Sequence, residues 1–84
     1  MTWVPIGIVT HFFDRISVAV IVLCDPIRLG ETVQFLGRTT EFEQQVGSLQ
    51  IDHEYINEAA AGQEVALKVI ERVRPKDVVY VQRG

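Results

Sequence analysis

The chain has one cysteine, one methionine and three prolines in 84 residues. With Cys24 alone, no intramolecular disulfide can form. Secreted domains of this size ordinarily carry several. The start, Met1-Thr2-Trp3-Val4-Pro5, has neither the basic opening nor the small-residue cleavage site of a signal peptide. Long apolar runs are missing too. The longest, Ile16 to Cys24, is nine residues interrupted by Ser17, against the roughly 18–20 that a membrane helix requires. These absences set the expectation of a soluble, cytoplasmic protein without membrane contact. Basic charge is also scarce: eight Lys and Arg stand against eleven Asp and Glu, a net charge of −3. That disfavours a dedicated nucleic-acid clamp, which is usually basic overall, and leaves room only for a local patch.

The motifs of catalysis are mostly absent. Neither lysine follows a glycine, and no two glycines stand two apart, so both phosphate-loop signatures fail. Ser48 has Gly47 beside it, but Val46 and Gln50 occupy the outer positions where a nucleophile elbow needs glycine. His53-Glu54-Tyr55-Ile56-Asn57 begins like a zinc-protease helix and lacks its second histidine. Glu41 and Glu43, two apart with Phe42 between them, share one strand face and read as a solvated surface. A metal or catalytic set therefore requires His11, Cys24 and His53 to converge; otherwise Cys24 fills a core position and the histidines lie at strand ends. The expectation is no enzyme, no cofactor and no metal.

What the chain has in quantity is β-branched residues: 13 Val, 8 Ile and 5 Thr. Their stiff side chains favour a pleated surface. Turn signals recur at Phe13-Asp14, Asp25-Pro26, Leu29-Gly30, Leu36-Gly37-Arg38, Ala61-Gly62 and Pro75-Lys76. Short strands at such spacing predict a single all-β domain over residues 1–84, with six or seven strands. These are Trp3–Phe12, Ile16–Cys24, Thr32–Leu36, Thr40–Ile51 with a phase slip at Gly47-Ser48, a short piece at His53–Asn57, Glu64–Val73 and Asp77–Gln82. Asp14-Arg15 reads as a tight hairpin turn. Asn57 to Gly62 has a cap, helix formers and a stop, enough for one helical turn. There is no internal repeat and no linker composition.

Two surface features emerge. Arg72, Arg74 and Lys76 alternate with Val73 and Pro75, which in extended chain projects a basic stripe to one side. Arg28 and Arg38 lie in loops. No aromatic-rich stacking signature accompanies them. The second strand is apolar in both phases: Ile16, Val18, Val20 and Val22 in one, Ala19, Ile21 and Leu23 in the other. A strand of a small barrel wets one face, so this outer face meets a partner, another copy, or a covering loop.

The landmarks Ile6-Gly7-Ile8-Val9, Ile27-Arg28-Leu29-Gly30-Glu31-Thr32-Val33, Val46-Gly47-Ser48-Leu49-Gln50, Ala59 to Leu67 and Pro75-Lys76-Asp77-Val78-Val79-Tyr80 follow one another in order. In that order the chain resembles the second-domain β-barrel of translation GTPases such as elongation factor Tu and initiation factor two. It is similar also to stand-alone elongation-factor-like proteins and to the C-terminal barrel of collagenase-like peptidases, a family associated with RNA modification. The Gly-Asp pairs of the family stand here as Gly30-Glu31, Gly62-Gln63 and Lys76-Asp77. The resemblance implies a small closed six- to seven-stranded antiparallel barrel, turning at Gly30, Gly37 and Gly62. It also implies a non-catalytic module bound to ribosomal RNA or tRNA, with Arg28, Arg38, Arg72, Arg74 and Lys76 as the phosphate contacts. The alternative is a protein–protein adaptor or homo-oligomerising accessory barrel that works with a separate enzyme through the Ile16–Cys24 strand.

Overall fold

The computed structural model describes residues 2–84. Ten strands follow in chain order: β1 (Thr2–Phe13), β2 (Val18–Leu23), β3 (Ile27–Arg28), β4 (Thr32–Leu36), β5 (Glu41–Gln45), β6 (Leu49–Ile51), β7 (Glu54–Tyr55), β8 (Glu58–Ala59), β9 (Glu64–Lys68) and β10 (Val78–Arg83). No helix occurs among the described residues. Eight strands form one antiparallel sheet in the order β5-β4-β10-β1-β2-β9-β6-β7, while β3 and β8 pair separately.

Alternation builds the core. On β2, Ala19, Ile21 and Leu23 are buried, and the same period places Val33 and Phe35, Val65 and Leu67, and Val79 and Val81 inside. Phe35 stacks on Phe42 with centroids 5.0 Å apart, joining β4 to β5. β1 serves both halves of the sheet. It pairs with β10 from Thr2 to Ile8 and with β2 from Gly7 to Phe13. Register shifts at Pro5/Gly7 and Val9/His11 bend it, as bulges do.

The sheet does not close into a barrel. Its terminal strands β5 and β7 do not pair with each other. The reason lies beyond Lys68, where the chain leaves β9 as coil rather than continuing the expected strand to Val73. β5 thus has no ladder partner on its outer side. The side chain of Gln44 stands in for one: its Nε2 donates to the carbonyl of Lys68 at 2.8 Å, and its Oε1 accepts from the N–H of Ile70 at 2.8 Å. The seam is sealed by a side-chain amide, which offers a donor and an acceptor as a peptide group does.

One four-residue turn recurs three times and launches β4, β9 and β10. It spans Arg28–Glu31, Ala60–Gln63 and Arg74–Asp77. In each, the fourth residue's N–H donates to the first residue's carbonyl, at 3.3, 3.2 and 3.1 Å. The third residue has positive φ: 86° at Gly30, 90° at Gly62 and 81° at Lys76. Glycine adopts this conformation without cost to its side chain, whereas lysine is strained in it. The fourth side chain then accepts from the first residue's N–H at 2.8 Å, through Glu31, Gln63 and Asp77 respectively. The glycine-plus-acid signature is therefore a turn device. Glu, Gln and Asp all supply the one thing it needs, an oxygen reaching back three residues. No internal repeat was expected, and at the level of this turn there is one.

Several expectations are corrected. The single helical turn at Asn57–Gly62 is absent; β8 and the Ala60–Gln63 turn occupy it. The six or seven expected strands are ten among the described residues, and the predicted Thr40–Ile51 strand is two of them, parted by residues 46–48 around the expected slip at Gly47-Ser48. Ile16 belongs to the turn Asp14–Ser17, not to β2. Gly37 has no positive φ. It is small because the Asp77 carboxylate occupies the space where its Cβ would stand. Cys24 is exposed, outside the core, with Sγ 3.8 Å from the Pro5 carbonyl.

Candidate functional site

The outer face of β1, β2 and β9 is where the fold leaves apolar side chains in water. Cross-strand pairs on this face run Ile8 to Val22 to Glu64, His11 to Val20 to Ala66, and Phe13 to Val18 to Lys68. Ile8 is 50% exposed, Phe13 51%, Ile16 59% and Val22 41%. Isolated exposed apolar residues need no explanation; a contiguous set does. The two-phase apolar pattern of Ile16–Cys24 thus resolves into an inward and an outward row. Phe13, Ile16, Val18 and Val20 border a groove of about 370 Å³ whose far wall is Ser48, Gln50 and the Asp52-His53 turn. That turn has positive φ at both residues, 50° and 67°. This is the two-residue hairpin geometry usually marked by Asn-Gly. Its Asp-His sequence hid it from sequence reading, and with it the groove wall.

The five candidate cations do not converge on one site. Arg72 and Arg74 line a cleft with His11, Phe12, Phe13 and Pro75, where the His11 and Phe13 rings stack at 6.3 Å. Arg72 also borders a second cleft with Arg38, and there Glu41 and Glu71 offset the charge. Lys76 borders neither: the Pro75-Lys76 turn ends the extended stretch, so the expected three-residue stripe is a two-residue one. Arg28 lies elsewhere, in an exposed pair with Glu58 at 3.1 Å, an interaction of about 0–1 kcal/mol. Arg83, outside the candidate set, is a structural residue. Its Nη2 donates to the Pro26 carbonyl at 2.6 Å, and its Nε lies 3.3 Å from Glu31 Oε2. It ties the last strand to the first of the three turns.

His11, Cys24 and His53 do not form a ligand set; no group of three metal-capable side chains comes together among the described residues. Glu41 and Glu43 are both exposed on β5 with Phe42 buried between them, as their spacing required. No described helix is long and apolar enough to cross a membrane.

No family model matches the chain. A curated relative, an uncharacterized protease of Methanocaldococcus jannaschii, is 37% identical over 79 residues. The match covers 93% of this chain and spans only 19% of that relative's length. Among solved structures, the C-terminal domain of a Geobacillus thermoleovorans protein described as a U32 peptidase superposes with a TM-score of 0.87 at 20% identity. It covers 93% of this chain and 91% of that domain. The selenomethionine variant of that domain gives 0.84 at 22% identity, over 89% and 95% of the two chains. Of the resemblances seen in the sequence, these neighbours support the peptidase one; they give the translation-factor barrel no support. The fold is that of this C-terminal domain.

Proposed function

We propose that the chain is a non-catalytic accessory module that works by seating its outer β1–β2–β9 face on protein. The observation that carries this reading is the outward row Ile8, Val22, Val20, Val18 and Phe13, apolar where a solvated sheet would be polar. Covering this row removes apolar surface from water, which stabilises association by about 25 cal/mol per Å² before the costs of binding. The likeness to a protease of which the chain would be about a fifth supports a catalytic protein as the working context. The test is affinity capture with the tagged chain, comparing wild type with Val20→Asp. A partner held by the wild type and released by the variant supports the reading. Equal capture by both overturns it.

A second reading has its own observation. Arg72 and Arg74 line one cleft with the stacked His11 and Phe13 rings, a combination of cations and a stacking platform that suits single-stranded nucleic acid. Ribosomal RNA and tRNA are the partners it would engage. Replacing Arg72 and Arg74 with Glu together should abolish binding to RNA. Unchanged affinity would remove this reading.

A further inference from the structure

The outward positions of β2 and β9 carry a pattern with two-fold character. Val18 lies opposite Lys68, Val20 opposite Ala66, and Val22 opposite Glu64. The middle is apolar, and the two charges sit at opposite ends of β9. Four residues of strand separate them, about 13 Å, too far for them to pair with each other. Neither belongs to an ion pair among the described residues.

Consider two copies facing each other, related by a two-fold axis that lies between them and runs across the strands through the Val20–Ala66 row. The rotation reverses strand direction and keeps β9 over β9. Lys68 of each copy then meets Glu64 of the other, and Val18 meets Val22. A two-fold axis along the strands would set β2 over β9 instead and leave both charges without partners. Self-complementary surfaces of the first kind make isologous dimers. Face-to-face sheets cross at about −30°, a rotation that long Lys and Glu side chains can follow. Phe13 and Ile16, both exposed, extend the apolar surface at the Val18 end, where the same rotation sets Phe13 of each copy near Ile8 of the other.

From this charge arrangement we infer that the β2–β9 outer face is a homodimer interface, and that its occupant is a second copy of this chain. The inference rests on the reading that this face is covered by protein, and it assigns the occupant and the register.

Sedimentation equilibrium of the full chain over a concentration series tests it. The wild type should dimerise. Glu64→Lys and Lys68→Glu should each weaken self-association about tenfold or more, because each sets like charges together at two symmetric points. The double variant, with the charges exchanged, should recover to within about threefold of wild type, since the pairing is restored. Both positions are exposed, and circular dichroism checks that each variant folds. A wild type still monomeric at about 1 mM overturns the inference. So does a dimer indifferent to the single changes, or a double variant no better than either single. If the dimer fails while Val20→Asp still releases a captured partner, the accessory-module reading stands and only the assignment of the occupant is lost.

Discussion

Replacing Gln44 with Ala opens the seam of the sheet. The wild-type amide satisfies the carbonyl of Lys68 and the N–H of Ile70, both at 2.8 Å. A typical hydrogen bond contributes about 0.5–1.5 kcal/mol net. Ile70 is 69% exposed, so water can replace part of what is lost, and the sum belongs near the lower end, about 1–2 kcal/mol. In a domain of this size each kcal/mol moves the melting midpoint by about 4–8 °C. Urea titration should show a lower midpoint with an unchanged slope, because the surface exposed on unfolding is the same. The Ile70 amide should lose protection against hydrogen exchange ahead of the amides of β1 and β2.

Gln44→Glu separates the donor from the acceptor role. A carboxylate still accepts from Ile70, but it sets a negative oxygen against the Lys68 carbonyl, so the variant should be less stable than Gln44→Ala at neutral pH. Protonation restores a donor. The folded state therefore binds the proton more tightly than the unfolded chain, so stability relative to wild type should rise as pH falls through the raised folded-state pKa and level off below the ordinary glutamate value, about 4.3. The reasoning is refuted if Gln44→Ala costs less than about 0.3 kcal/mol, roughly a third of a typical mutational effect, or if Ile70 keeps its protection.

Other outcomes follow from the turns and the close contacts. Lys76→Gly removes a side chain from a positive-φ position and should raise stability by up to about 1 kcal/mol after the added freedom of the unfolded chain is discounted, seen as a higher denaturation midpoint. A lower midpoint would contradict the turn assignment. Gly37→Ala places a methyl group in the Asp77 carboxylate and should cost about 2 kcal/mol or more. Asp77→Ala also destabilises, by freeing the Arg74 N–H. The double variant should cost less than the sum of the two singles, and strict additivity would show that the two groups do not touch.

The β-branched composition, the turn spacing and the slip in alternation were enough to predict an all-β chain, the Thr32–Leu36 strand and a break at Gly47-Ser48. Alternation separated the buried Ala19, Ile21 and Leu23 from the outward Val18, Val20 and Val22, because a strand's side chains must point to opposite sides. The family landmarks marked the three turns, whose backbone needs are local. Helix formers at Glu58–Ala61 misled the reading, since a pairing between β3 and β8 outweighed local preference there.

The sequence by itself determined the all-β class, the two-faced β2 and the glycine-marked turns, all of which depend on neighbours a few residues apart. Only the tertiary structure decided that the sheet stays open with Gln44 bridging its seam, since that depends on where β9 ends relative to a strand 24 residues earlier. Only it decided that Arg72 and Arg74 share a cleft with His11 while Lys76 and Arg28 do not. Only it set Lys68 and Glu64 at the two ends of an apolar row. Each of these depends on cross-strand register, which long-range pairing fixes and local sequence does not encode.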